Sequence, residues 1–433
     1  MNLQAEQLNT IIKEHSPACY ALLSEKGKGI YFPKEGILAQ TAEAAGKRIN
    51  ATIGIAVRDD GSPMRLMSIE KNVRLRPELV FSYAPSFGRK DLREKWKAMM
   101  LAKNPQLQQK QISLPVVTSA LTHGLSTAAY LFADPGDSII LPDLFWGNYK
   151  LMFTNGFGAN LSTFNMFLNN SFDTGALAAA LKGKGRGKRI LLLNFPNNPS
   201  GYTVTVAERK KIVEYVHEAA KEGNNILVLI DDAYFGLCYE EGIETQSLFS
   251  YLCDIHENVV AVKLDGPTKE DYVWGFRVGF LTFGMKNGNK MAYDALEAKT
   301  AGTIRGCISN SPHISQSLLL DAYSSPSYSE EKHQTYLILK ERYLEMKNVF
   351  KAHREYSECF TPLPFNSGYF MCVRLAQDIN AEKARKILLE RYDTGVISTG
   401  NLIRLAFSAV RKSDIADLIE NVFLACKDAR AAQ

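Results

Sequence analysis

Two cations, Lys269 and Arg277, mark the stretch of this 433-residue sequence best suited to chemistry. Lys269 lies in Asp265-Gly-Pro-Thr-Lys269-Glu-Asp-Tyr-Val-Trp-Gly-Phe-Arg277-Val-Gly279, a Gly/Pro-flanked turn between the apolar runs 258–264 and 278–283. A turn of this kind exposes an amine between two buried strands. Such an amine can form a Schiff base when its neighbours keep part of it neutral. Taken alone, a solvated loop lysine is the simpler reading, and other stretches reverse it. The apolar strand Asn225-Ile-Leu-Val-Leu-Ile-Asp231 ends in a carboxylate, which is costly to bury unless paired, and Tyr234 follows three residues later. A helix N-cap or a metal ligand is the competing role for Asp231. Arg404, set among Leu402, Ile403, Leu405 and Ala406, is a guanidinium in apolar company that requires a partner, and its planar fork suits a carboxylate.

Each of these residues needs an element to position it. The strand Leu114–Thr118 runs into a helix through Ser119-Ala120-Leu121-Thr122-His123-Gly124. Free amides and the positive dipole end at such a junction suit a phosphate, held by Ala120, Leu121 and the Thr122 hydroxyl. An Ala at 120 demands a φ compatible with a Cβ. His123 reads as a helix-surface residue. Strand 138–142 leads to Trp146, which either lines a site or packs in the core. Strand 190–193 ends in Asn194-Phe-Pro-Asn197-Asn198-Pro-Ser-Gly201, a punctuated turn before the helix 206–222. Strands alternate with helices from about residue 90 to 300, which predicts an α/β fold with a mostly parallel, doubly covered sheet. The polar motifs all fall at strand C-terminal ends, where such sheets place ligands. Helices 313–323 and 329–353 then join this part to a strand–helix–strand segment, closed by a helix 412–427. The expected division is a large domain over 76–322 and a smaller one built from 1–75 with 323–433.

Composition narrows the function classes. A chain with 46% hydrophobic and 22% charged residues is ordinary for a globular protein of two domains. The formal charge of +5, from 51 basic and 46 acidic residues, argues against a dedicated nucleic-acid surface. The densest basic run, Lys182–Arg189, is Gly-rich without aromatics and reads as a solvated loop. Seven cysteines (Cys19, Cys238, Cys253, Cys307, Cys359, Cys372, Cys426) form no Cys-x-x-Cys pair, so a reducing compartment without disulfides is expected. The start carries no secretory pattern, and no apolar stretch reaches the length of a membrane span. The expectation is a soluble cytoplasmic protein without a metal site.

The set Lys269, Gly275, Arg277 and Gly279 resembles the Schiff-base segment of fold-type I, class I/II aminotransferases, which use pyridoxal 5′-phosphate (PLP). The resemblance covers essentially the whole chain. It rests on the ordered set Thr118, Trp146, Asn198, Asp231, Tyr234, Lys269, Arg277 and Arg404. It implies a homodimer with shared active sites. It implies that Lys269 carries PLP and Arg277 binds its phosphate. Trp146 would stack on the pyridine, Asp231 would keep the ring nitrogen protonated, and Asn198 and Tyr234 would bond O3′. Arg404 would bind the substrate α-carboxylate, with Asn198 helping to hold it. Gly54 either lets the backbone approach that carboxylate or is a strand-end turn glycine. Tyr83 matches the tyrosine that reaches the partner's cofactor phosphate; read alone, it is a packed turn aromatic. The chain departs from the family in having Gly266 where many members have a phosphate-touching Ser, and Thr268 is the substitute hydroxyl.

Two further expectations concern the reaction. Freed Lys269 would take the Cα proton as a general base in amino transfer from an L-amino acid to a 2-oxo acid. The segment around Arg305 is similar to one in aspartate and aromatic aminotransferases. There an Arg pairs with the distal carboxylate in the neighbouring subunit; the plain alternative is a helix-surface arginine. PLP-dependent β-elimination or decarboxylation shares the cofactor motifs. A PLP-sensing regulatory module would carry a DNA-binding segment ahead of the fold, and the short stretch before Tyr83 shows no such pattern.

Overall fold

A computed structural model describes residues 2–15, 17–30, 37–71, 75–183 and 185–431. Lys184 and the side chain of Cys19 lie outside the described part, and the other six cysteines are free.

The large sheet has seven strands in the spatial order Val116–Thr118, Gly279–Met285, Val259–Asp265, Asn225–Asp231, Lys188–Asn194, Ser138–Pro142 and Asn160–Phe164. Only Gly279–Met285 runs antiparallel to its neighbours. The central strands are buried on both faces, which is why they read as unbroken apolar runs. Ile190 and Leu192 join a core with Leu227, Leu229 and Phe283. Leu191 and Leu193 point the other way, into a core with Val228, Ile230 and Ala261. Helices cover these faces, among them Ala120–Phe132 and Val206–Lys221. The latter starts at a capping box in which Thr205 and Glu208 satisfy each other's backbone amides.

Register decides where the site forms. Asn194 pairs with Asp231, Asp231 with Leu264, Asp265 with Phe280, and Gly279 with Thr118. Five strand ends therefore meet at one edge of the sheet, the carboxyl edge of its parallel strands.

The C-terminal part forms a four-stranded antiparallel sheet of Phe360–Pro362, Met371–Leu375, Leu402–Leu405 and Ile397–Thr399, in which Arg404 lies opposite Cys372. Near the other end of the chain, Ile49–Asn50 pairs in parallel with Thr394–Gly395. The last helix starts later than expected: a single 3₁₀ turn, Lys412–Asp414, precedes Ile415–Ala431. A π-helix, Lys150–Gly156, was not expected from the sequence and directly follows Tyr149. Among the described residues, no helix is long and apolar enough to cross a membrane. Nor is there a cluster of three or more metal-ligating side chains among them.

Candidate active site

Lys269 sits in the short helix Pro267–Glu270, directly after the strand Val259–Asp265. Its backbone is pinned, because the Tyr369 hydroxyl donates to its carbonyl at 2.8 Å. Its Nζ lies 5.2 Å from the centre of the Tyr234 ring. Burial pulls the amine down to about 8, with Arg277 adding to the effect and Asp231 opposing it. Lys263 on the same strand is a different kind of lysine. It is fully buried and ion-paired with Asp232 and, at 3.0 Å, with Asp265. Burial works against its charge, but the two carboxylates raise its pKa above the ordinary value. That amine stays charged.

Asp231 is buried at its strand end. It accepts hydrogen bonds from the Tyr149 hydroxyl at 2.5 Å and the Ala233 amide at 3.1 Å. Burial raises its carboxyl above the ordinary range, against the Tyr149 bond and the charge of Lys269. Tyr149 escaped the sequence reading. It lies one turn after Trp146, its amide donates to the Trp146 carbonyl at 2.9 Å, and the two rings meet edge-on at 5.6 Å. The available signal was that spacing, which puts a hydroxyl one turn from the indole.

Arg404 is only 6% exposed, and no carboxylate among the described residues pairs with it. Its guanidinium donates to the Thr52 carbonyl at 2.9 Å and to the Asn198 side-chain oxygen at 3.4 Å, and rests 4.3 Å from the Phe370 ring centre. Its Nε is buried without a partner. Burial lowers its pKa, while Tyr234 and Cys372 work the other way. Asn198 is fixed by its amide, which donates to the Asn194 side chain at 2.8 Å. Tyr234 is buried among Arg404, Asp231 and Asn198, and burial raises its phenol above the ordinary value. An added Cβ at Gly54 would stand 3.5 Å from the same Phe370 ring.

The strand–helix junction differs from expectation in one respect. Ala120 takes a left-handed backbone, φ 61°, despite its Cβ. That conformation costs an L-residue about 1 kcal/mol, and surrounding contacts hold it. The Thr118 hydroxyl donates to the Ala120 carbonyl at 2.9 Å. Gly279 lies so close that an added Cβ would come within 2.7 Å of the Ala120 carbonyl carbon. The same crowding explains Gly266, where a Cβ would stand 2.9 Å from both Gly279 Cα and the Val278 oxygen. A serine does not fit there without backbone movement. Thr268 is buried with its hydroxyl turned to the Val278 carbonyl at 3.5 Å. Arg277 is also left-handed, φ 54°, donates to the Trp274 carbonyl at 3.1 Å and has no carboxylate partner among the described residues. Leu121 is buried and Thr122 is exposed. His123 is half-buried rather than on the helix surface, because its Nδ1 accepts the Ser119 amide at 3.0 Å.

Contacts thus join Trp146, Tyr149 and Asp231 in one group and Lys269, Tyr234, Phe370, Arg404 and Asn198 in another. Asn194 bridges them by donating to the Asp231 carbonyl at 2.8 Å and accepting from the Asn198 amide. Two predicted residues stand apart. Tyr83 is 89% exposed. Arg305, in the last turn of the helix Lys290–Cys307, is exposed and donates to the Ser309 hydroxyl at 2.9 Å.

A family model described as "Aminotransferase class I and II" matches residues 61–422. The aromatic amino acid aminotransferase of Corynebacterium glutamicum (strain R) is 27% identical over 200 residues, 45% of this chain and 51% of that protein. The matched stretch thus spans about half the length of that relative. The aspartate aminotransferase of Sulfurisphaera tokodaii is 25% identical over 353 residues, covering 78% of this chain and 81% of its own length. The crystal structure of an aminotransferase from Anaerococcus prevotii superposes with a TM-score of 0.78 at 23% identity, over 91% of this chain and 96% of that one. At that identity the likeness bears on the fold.

Proposed function

The chain belongs to the class I and II aminotransferases, and from that premise we propose that it transfers the amino group of an L-amino acid to a 2-oxo acid, using PLP held on Lys269. The observation that carries this reading is the buried Arg404 guanidinium, which has no carboxylate partner among the described residues and keeps Nε unbonded there. A buried cation in that state calls for an anion. The family's substrates bring one, the α-carboxylate.

The residues present fit the cofactor. The junction at Ala120 and Leu121 offers helix N-terminal amides for a phosphate, and Arg277 offers a cation that no carboxylate among the described residues neutralises. Asp231, buried at its strand end and held by Tyr149, offers a carboxylate to a ring nitrogen. Asn198 and Tyr234 offer polar groups for O3′, and the Trp146 indole offers a ring face. Thr122 and Thr268 remain proposed phosphate contacts. When bound, PLP supplies an electron sink for the pair released at the substrate Cα.

The protein's own work is positioning and proton handling. Arg404 binds the α-carboxylate with two parallel hydrogen bonds, helped by Asn198 and by the backbone near Gly54, and so fixes which Cα bond faces the ring. Lys269, with its amine near 8, takes the Cα proton without the penalty an ordinary lysine would carry near neutrality. Asp231 keeps a proton on the ring nitrogen.

We also propose a homodimer, supported by the exposure of Phe81 (85%) and Tyr83 (89%) on one turn. Arg305 would there pair with a substrate's distal carboxylate in the partner's site, selecting dicarboxylates without excluding aromatic side chains. The division into 76–322 and 1–75 with 323–433 is kept as a proposal, supported by the pairing of Ile49–Asn50 with Thr394–Gly395.

The test is to incubate purified protein with a panel of amino acids, follow the cofactor absorbance, and map the borohydride-reduced peptide. The expected label is on Lys269, with loss of amino transfer in Lys269→Ala. A label on Lys263 or Lys286 overturns the assignment.

A further inference from the structure

The two residues after Lys269 are both acids, and the fold buries both, Glu270 to 3% and Asp271 to 0% exposure. Glu270 accepts from Lys103 at 2.8 and 3.1 Å and from Lys332 at 2.5 Å. Asp271 accepts from Lys332 at 2.9 Å, the Tyr328 hydroxyl at 2.7 Å and the Tyr323 hydroxyl at 2.9 Å. Two carboxylates and two ammonium groups balance, so the cluster is neutral as a whole. Removing one partner would leave a buried charge uncompensated, which is the expensive way to break such a network. Surface pairs carry no comparable penalty.

Lys332 is the member that reaches furthest. It lies in the long helix Tyr328–Ala352. Ten residues further along that helix, Arg342 is 1% exposed and donates to the Ser408 carbonyl at 2.6 Å and the Val57 carbonyl at 2.7 Å. Ser408 follows the Arg404 strand, and Val57 follows Gly54. One helix therefore holds the turn of Lys269 near its start and, ten residues further on, both segments flanking Arg404 and Gly54. Its straight rise of about 1.5 Å per residue fixes the separation of those two anchor points.

We propose that Lys332 is a positioning residue for Lys269: by clamping Glu270 and Asp271 it ties the turn of the catalytic lysine to the helix that also holds the Arg404 side of the pocket. The proposal rests on the reading of Lys269 as the cofactor lysine. Lys332 acts only through the two acids. Besides the cluster itself, the charged or titratable groups facing Lys269 are Asp231, Arg277 and Tyr234.

The experiment is a pH titration of the visible absorbance of the purified holoenzyme, in wild type, Lys332→Met and Lys332→Arg, with borohydride mapping of each. In Lys332→Met, the uncompensated acid beside Lys269 should raise the pH midpoint by about one unit. The same change should lower kcat more than it raises KM, and Lys332→Arg should recover most of both. A Lys332→Met holoenzyme with an unmoved midpoint overturns the clamp, provided the label is on Lys269. A label on another lysine overturns the functional reading instead. If Lys332→Met does not fold, Lys332→Met with Asp271→Asn removes one charge of each sign and leaves Glu270 paired with Lys103. That double variant should keep the wild-type midpoint yet lose kcat about tenfold. Unchanged kcat, or failure of this variant also to fold, overturns the proposal in favour of a purely structural cluster.

Discussion

Tyr149 donates its phenolic proton to Asp231 across 2.5 Å, from a buried position edge-on to Trp146. The bond favours the charged carboxylate, against burial, which favours the neutral one. Hydrogen bonds to charged groups are worth about 1.5–3 kcal/mol. Tyr149→Phe keeps the ring and removes only that bond. It should lower kcat/KM about 10- to 100-fold and weaken cofactor retention, measured by steady-state kinetics and by cofactor titration of the apo form. Activity within twofold of wild type would show that Asp231 is held by other means.

Arg404 should be costly for the empty fold and indispensable for turnover. A buried cation without a carboxylate destabilises, and an apolar residue of similar length relieves it. Arg404→Met should therefore raise the denaturant midpoint of the apo protein. The same variant should lose about 10²- to 10⁴-fold in kcat/KM, from two charge-assisted hydrogen bonds. Arg404→Lys should not restore activity, because an ammonium lacks the planar fork. A drop in apo stability for Arg404→Met would contradict the assignment.

The amine of Lys269 titrates near 8 because burial disfavours its charged form. The neutral form is the nucleophile, so a lowered pKa enlarges the reactive fraction at a given pH. At pH 7 that fraction is about one tenth, against well under a thousandth for an ordinary lysine. Cofactor capture by the apo protein should accelerate up to about pH 8 and then level off. A rate that keeps climbing to pH 10 would show an unperturbed amine.

Gly266→Ser would install the residue many relatives of this fold carry, but its Cβ would meet backbone atoms of Val278 and Gly279 at 2.9 Å. Overpacking of this kind costs about 1–3 kcal/mol. The variant should show a lowered denaturant midpoint with no gain in cofactor affinity. An equally stable, tighter-binding variant would mean that the strands part easily here.

Arg305→Ala tests the proposed side-chain selector. The ratio of activity on aspartate or glutamate to activity on alanine should fall, because the side-chain carboxylate would lose the guanidinium proposed to pair with it in the partner's site. An unchanged ratio removes Arg305 from the site and the dicarboxylate preference with it.

The ends of the strands carrying Asn198, Asp231, Lys269 and Arg404 were legible in the sequence. Apolar runs bounded by Gly, Pro and Asn announce buried strands, and a lone charge at the end of such a run announces a partner. Strand alternation also implied one ligand-bearing edge of the sheet. The tertiary structure alone decided the rest. The left-handed Ala120 follows from how closely Gly279 passes, a distance set between strands far apart in sequence. Lys263 reads as a flaw in an apolar run until Asp232 and Asp265 are seen closing around it. Tyr149 and Lys332 gain their meaning from Asp231 and from Glu270 and Asp271, 82 and about 60 residues away along the chain. Periodicity and local composition report on neighbours within a turn or a strand. Pairings over such separations depend on register and packing, which no single stretch of sequence contains.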